Sequence, residues 1–431
     1  MNTSMIRYIL GHVLKIEAIL LLLPCLTAVY YQEIQGVYYL LTAAICIVLG
    51  FLMTLRKPKN NVFYLKEGCV ATALSWIFLS VFGCLPFVFS REIPSFTNAL
   101  FETISGFTTT GASILEDVEA LSHCALLWRS FTHWIGGMGV LVFLLAIVPM
   151  SIMAVMEKTP ERSVNILRAE MPGHNVDKLT PRASGTAKIL YYIYLALTVL
   201  ETVLLLCGGM PLFDSVATSF GTAGTGGFGI KADSFAGYAV HLQWIVTIFM
   251  ILFGVNFNAY YFILFHQFRK AFGMEEVRAY FIVILASVAF ITCNIRSMCT
   301  GVFDALTQAA FQVGSIITTT GFATANFDLW PKASQAILVM LMFCGACAGS
   351  TGGGIKVSRL LIAGKTVVKE LRSYIHPKII TKVKMDGKPI EHEVVRATNV
   401  YVMTFVVIFT ASVFALSFEG HDLVTNFTAD C

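Results

Sequence analysis

Thr108-Thr109-Thr110-Gly111-Ala112 returns almost unchanged as Thr318-Thr319-Thr320-Gly321-Phe322, and a looser copy, Thr225-Gly226-Gly227-Phe228, lies between them. Each copy follows a segment too short to cross a bilayer and is flanked by apolar runs long enough to do so. Such backbone cannot face lipid, where its carbonyls would be unpaired. It is tolerated where it lines an aqueous path, and rings of carbonyls can replace the hydration shell of a cation. The residues expected to supply them are Thr109, Thr110 and Gly111, then Thr225, Gly226 and Gly227, then Thr319, Thr320 and Gly321. Glycine suits the position where the chain turns its carbonyls inward, because it takes positive φ at little steric cost. The alternative is an ordinary helix stop with a glycine cap, but three copies in matching contexts favour the ion path. Gly226 stands where the other copies have Thr110 and Thr320, a departure that predicts a weaker coordinating layer.

A second unusual stretch is Ala348-Gly349-Ser350-Thr351-Gly352-Gly353-Gly354-Ile355-Lys356, preceded by Gly345. Each glycine costs a helix up to about 1 kcal/mol relative to alanine, so the run predicts a break in its span. It nearly matches a phosphate-binding loop, but the lysine is one position late and no strand precedes it, so nucleotide binding is rejected. Ser350 as a nucleophile is opposed by the lack of an evident histidine partner in a nearby span. Cys344-x-x-Cys347 has redox spacing without a βαβ context and reads as apolar packing. Glu102 and Glu201 are intramembrane acids, which suggest function by default; Glu102 is expected to hydrogen-bond the adjacent Thr/Gly backbone. His133 and Trp134, beside Gly136, Gly137 and Gly139, read as a close helix contact. Asn256 and Asn258 either line the path or satisfy each other.

These residues need a membrane scaffold, and the composition provides one. Of 431 residues, 56% are apolar and 13% charged, against about 25% charged in soluble domains; mean hydropathy is +0.74. A net charge of +4 is too mild to suggest nucleic acid, and eleven scattered cysteines do not read as a disulfide framework. The first apolar run lacks a small-residue cleavage site and is expected to be a retained span. A crossing needs about 20 apolar residues. Candidate spans cover roughly 9–30, 38–55, 69–90, 125–153, 187–207, 242–267, 279–295, 334–371 (interrupted) and 397–418, with re-entrant pore helices over 96–107, 212–223 and 303–317. Lys and Arg concentrate in 56–66, 157–188, 269–278 and 356–396. These linkers all fall on one side if the spans alternate and the pore segments dip in from the other, which puts the N-terminus in the cytoplasm.

Aligned on Gly111, Gly227 and Gly321, the unit span, pore helix, Thr/Gly segment, span recurs at 116 residues (227 − 111) and 94 residues (321 − 227). Phe101 and Phe311 each precede their glycine by ten positions. The expected fold is all-α and polytopic, with repeated helix–pore-helix–helix units around a central ion pore. Residues 1–60 hold two extra N-terminal transmembrane helices, 61–155 pore unit 1, 156–272 unit 2, 273–376 unit 3 and 377–431 the start of unit 4. His421-Asp422-Leu423 resembles the start of the third pore helix at Phe303-Asp304. A matching glycine would fall at 439 (422 + 321 − 304), so the fourth unit is expected to be truncated.

The repeated units, the three Thr/Gly segments and the glycine-rich break resemble the Trk/Ktr/HKT superfamily of potassium transporters. The two leading spans and Trp134-Ile135-Gly136-Gly137-Met138-Gly139 look most like the bacterial Trk-type membrane subunit. The resemblance implies potassium uptake across the bacterial inner membrane, with K+ as the transported ion, no organic cofactor and no enzymatic activity. It also implies a homodimer within membrane lipid, governed by cytosolic nucleotide-binding subunits (TrkA-like). It makes Gly345, Gly349, Ser350, Thr351, Gly352, Gly353, Gly354 and Lys356 an intramembrane gate beneath the filter. In plant relatives a serine at the first filter glycine accompanies sodium preference, so Gly111 favours potassium. A sodium or weakly selective cation path is the alternative.

Overall fold

The computed structural model describes residues 2–58, 65–139, 183–376, 382–420 and 423–429. The later part of the span expected over 125–153, most of the basic linker 157–188 and the His421-Asp422 pair lie outside them. Six described helices are long and apolar enough to cross a membrane, seven if a bent pair counts as one span.

The chain forms two compact units, Met1–Phe253 with Thr320–Thr324, and Gly254–Thr319 with Ala325–Cys431. The first unit opens with α1 (Thr3–Leu20), α2 (Leu22–Tyr31) and α3 (Gly36–Thr54). α1 and α3 cross where Gly11 and Gly50 meet, and a Cβ on either would fall within 3 Å of the other's carbonyl oxygen. Small residues allow that approach between helices that gain no hydrophobic drive from lipid. Next come α4 (Leu65–Gly83), α5 (Leu85–Ser90), α6 (Phe96–Phe107), α7 (His123–Gly137), α8 (Ala183–Cys207), α9 (Leu212–Gly224) and α10 (Val240–Phe253). α6 starts at an N-cap, Ser95, whose hydroxyl accepts from the Asn98 N–H, and Ser122 caps α7 in the same way toward Ala125. α7 packs against both α6 and α9.

The second unit holds α11 (Phe257–Leu264), α12 (Phe268–Ala271), α13 (Glu275–Ile295), α14 (Val302–Ile317), α15 (Lys332–Cys344) and α16 (Val357–Ile375). A two-residue hairpin, β1 (Lys384–Met385) with β2 (Lys388–Pro389), leads to α17 (His392–Leu416) and α18 (Leu423–Ala429). α13 packs against α14, α15 and α16. The Phe343 ring lies 5.1 Å from Phe409 and 5.7 Å from Phe427, joining α15 to α17 and α18. α17 is apolar yet exposed along almost its whole length, as suits a helix with lipid for solvent.

The pore segments expected over 96–107, 212–223 and 303–317 are α6, α9 and α14. The interrupted span over 334–371 is α15 and α16, separated by the glycine-rich stretch. One expectation fails. The run 242–267 is not a continuous span but ends at Phe253 and resumes at Phe257. Asn256 caps the new helix by accepting from the Asn258 N–H at 2.9 Å, so the two asparagines do partly satisfy each other.

Candidate functional site: threonine–glycine segments and a glycine-rich loop

α6, α9 and α14 each end at a left-handed threonine. The Thr109 N–H donates to Gly106 O at 3.1 Å and the Thr110 N–H to Ser105 O at 2.9 Å; Thr225 and Gly226 repeat this with Thr222 O and Gly221 O at 3.0 and 3.2 Å. Thr319 donates to Ile316 O at 3.0 Å. Paired bonds of this register are a Schellman stop, whose left-handed residue is ordinarily glycine. Here it is threonine, with φ of 55° at Thr109, 53° at Thr225 and 58° at Thr319. The glycines come two residues later, at φ 77°, 76° and 86° for Gly111, Gly227 and Gly321. The helix-stop reading is therefore half right: these segments stop helices, but glycine is not the cap. A β-branched residue at positive φ is a true outlier. Such strain costs about 1–3 kcal/mol and persists where the surroundings impose it.

Within the first unit the segments meet. A Cβ on Gly111 would lie 2.0 Å from Gly226 O, and one on Gly227 would lie 1.8 Å from Thr320 O. The first segment thus abuts the second, and the second abuts the third, through bare backbone.

α7 passes between the ends of two pore helices. Gly136 faces Phe107 O, which a Cβ would approach to 2.2 Å, and Gly137 faces the Gly224 Cα at 2.7 Å. Trp134 donates from Nε1 to the Thr198 hydroxyl at 3.1 Å and its carbonyl accepts from the Tyr194 hydroxyl at 2.9 Å. The helix-contact reading of His133, Trp134 and the glycines fits this packing.

Glu102 is 1% exposed. It accepts from the Ile114 N–H at 3.1 Å and the Ser113 hydroxyl at 3.0 Å, just beyond Gly111. Its partner is Arg129, 3% exposed, whose Nη2 lies 2.7 Å and Nε 2.8 Å from Oε1. Arg129 also donates to Gly229 O at 3.3 Å and lies 4.1 Å over the Phe228 ring, just beyond Gly227. One buried ion pair thus ties together the exits of the first and second segments. Sequence reasoning missed Arg129; a cation inside an apolar span was the available signal.

In the second unit the stretch from Gly345 to Lys356 folds back on itself. The Ala346 N–H donates to Gly353 O at 3.4 Å and the Val357 N–H to Ala346 O at 3.1 Å. Gly345, Gly349, Gly354 and Lys356 all have positive φ. Gly353 donates to the Thr319 hydroxyl at 2.7 Å, and a Cβ on Gly352 would lie 3.0 Å from Thr318 O. The loop therefore lies against the end of α14. It also meets the break before α11: Cys347 donates to Gly254 O and Phe257 to Gly349 O, both at 3.0 Å. Lys356 Nζ donates to Gly352 O. Glu276, unnoticed in the sequence, accepts from the N–H groups of Ala348 at 2.5 Å and Ser358 at 3.2 Å, and from Asn256 Nδ2 at 3.2 Å. Ser350 donates to Cys347 O at 2.6 Å, and Cys344 and Cys347 are free thiols. Thr351 is buried within the loop, and Glu201 is buried in α8.

At the start of α7, Glu33 accepts from the N–H groups of His123 and Cys124 at 2.8 and 3.0 Å and from His123 Nδ1 at 2.8 Å. Burial opposes its ionisation, but these donors together hold its carboxyl below the usual range. Glu92 accepts from the adjacent Ser122 N–H at 2.7 Å.

Residues 37–429 match the family described as TrkH, cation transport protein. The chain is 32% identical over 440 residues to the Trk system potassium uptake protein TrkH of Salmonella typhimurium, covering 100% of this chain and 89% of that protein. It is 33% identical over 438 residues to the protein of the same name from Vibrio parahaemolyticus, covering 99% and 88%. The crystal structure of the potassium transporter TrkH from Vibrio parahaemolyticus superposes with a TM-score of 0.87 at 30% identity, over 100% of this chain and 88% of that one. A polytopic helical chain, three helices ending at strained threonines and a match along nearly its whole length give one conclusion: this chain belongs to the TrkH family of cation transport proteins.

Proposed function

We propose that this chain takes up potassium across the bacterial inner membrane, with its N-terminus in the cytoplasm. Carbonyl oxygens of Thr109, Thr110 and Gly111, Thr225, Gly226 and Gly227, and Thr319, Thr320 and Gly321 replace the water of a dehydrated K+. The observation that carries this reading is threonine held at positive φ three times, each followed two residues later by a positive-φ glycine. A helix stop needs a left-handed residue there but ordinarily takes glycine, so threonine kept at this cost fits peptide planes turned toward an ion. Pore helices ending at these segments aim the partial negative charge of their C-termini at the cation. The loop from Gly345 to Lys356, lying against Thr318 and Thr319, is the gate. A cytosolic nucleotide-binding subunit moves it, and two copies of the chain associate in the membrane. The relatives named as potassium uptake proteins support this reading.

The test is growth of a potassium-uptake-deficient bacterium on limiting K+, with rubidium flux as the direct readout. The chain should restore growth, and Gly111→Ser should lower K+ uptake relative to Na+. Restored growth with Na+ and K+ carried equally would favour a weakly selective cation path, the reading that Gly226 supports.

A further inference from the structure

The second segment departs from the other two at Gly226, and the structure holds a reason for it. His133 is fully buried. A Cβ built on Gly226 would lie 2.6 Å from Cγ, Cδ2 and Cε1 of its ring, directly over the imidazole. The ring stacks on Phe228 at 4.1 Å between centroids, and its Nδ1 accepts from the Phe228 N–H at 3.3 Å. Accepting at Nδ1 leaves the ring proton on Nε2. The backbone of His133 is equally constrained, since a Cβ on Gly224 would lie 2.2 Å from its carbonyl oxygen.

We propose that His133 is the specificity-determining partner of the second segment. Its imidazole packs directly over Gly226, the position at which the other two segments carry the side chains of Thr110 and Thr320. Its bond to Phe228 sets the peptide following Gly227. The missing threonine is thereby replaced from α7, and the second segment is no looser than its neighbours. This rests on the filter reading above and is tested so that the two can fail separately.

The experiment is a size exchange in the full chain, read as rubidium uptake and K+ over Na+ preference, with detergent monodispersity as the folding control. Gly226→Thr alone should lower uptake at least about tenfold, because the added side chain meets a ring that cannot move aside. His133→Ala should fold and transport but lose several-fold in K+ preference. The double variant should recover uptake at least about fivefold over Gly226→Thr, the coupling expected of residues in contact. His133→Phe keeps the volume without the acceptor and should fall between His133→Ala and the unchanged chain in preference. A double variant no better than Gly226→Thr overturns the proposal, as does a His133→Ala with unchanged preference. Gly111→Ser serves as the control: if it too leaves preference unchanged, the filter reading falls and this inference falls with it.

Discussion

The threonine–glycine segments and the glycine-rich loop are both irregular backbone among apolar helices, yet backbone and side chains hold them in different proportions. The first two segments satisfy their amides from their own pore helices, with bonds of 2.9–3.2 Å, and pack backbone against backbone. The loop's bonds to itself include pairs at 3.3 and 3.4 Å. Much of its anchoring comes from side chains outside it: the Thr319 hydroxyl and the single carboxylate of Glu276. A structure closed by its own backbone has no part to release, whereas one pinned by a side chain can be freed by withdrawing that group. The contrast fits a fixed filter and a movable gate.

The largest effect separates glycines of the two regions. Gly227→Ala would drive its Cβ into Thr320 O, a backbone atom, at 1.8 Å. Overpacking of that kind costs roughly 1–3 kcal/mol or more, and potassium uptake should fall by over about tenfold at normal membrane abundance. Gly353→Ala meets the Thr319 side chain, with the hydroxyl at 2.9 Å and Cγ2 at 3.4 Å, and its φ is not positive. The Thr319 side chain can shift where backbone cannot, at the cost of its bond to the Gly353 N–H, so uptake should fall by only about threefold. Equal losses in both variants would erase the distinction. The ion pair behind the first two segments is read in stability, not transport. Arg129→Leu strands a buried carboxylate at Glu102, and breaking such a pair costs about 3–5 kcal/mol. Thermal unfolding in detergent should show a clear drop, and adding Glu102→Gln should return part of it. A single variant as stable as the unchanged chain would show that the pair supports nothing.

Much of this was legible in the sequence where the cause is local. The pore helices fall where expected because a serine or a Thr/Gly stop a few residues away sets their ends. The glycine-rich break was legible because glycine weakens a helix wherever it stands. The partners were not: Arg129 meets Glu102 across 27 residues, His133 meets Phe228 across 95, and Glu276 reaches Ala348 across 72. A single sequence carries no signal of such pairings. The break at Gly254 was hidden for a similar reason. Hydropathy runs on through it, while the Gly254 carbonyl bonds to Cys347, 93 residues away.

Glu276→Gln sharpens the comparison from the loop side. The charge-assisted bonds to Ala348 and Ser358 become ordinary ones, a loss of about 1–2 kcal/mol. That weakens the anchor without emptying the space, so the expected result is altered gating with little change in overall stability. Rubidium flux into proteoliposomes holding the chain alone should rise several-fold over the unchanged chain. K+ over Na+ preference should not move, because none of the bonds to Glu276 comes from a threonine–glycine segment. A fall in preference with no rise in flux would place Glu276 in the support of the threonine–glycine segments.

The smallest effect probes α7, the helix that carries Arg129 and His133 to the first two threonine–glycine segments. Glu33 holds the first amides of that helix, and its bonded carboxylate titrates below the usual range. A group of lowered pKa contributes stability that is complete above its unfolded value, near 4.3, and is lost as pH falls through the lower native one. Glu33→Gln removes the charge at every pH. The difference in melting temperature between the unchanged chain and the variant should therefore be constant from about pH 8 to 5 and close below about pH 4. A gap that narrows in that upper window would mean that the carboxylate is not what orders the start of α7.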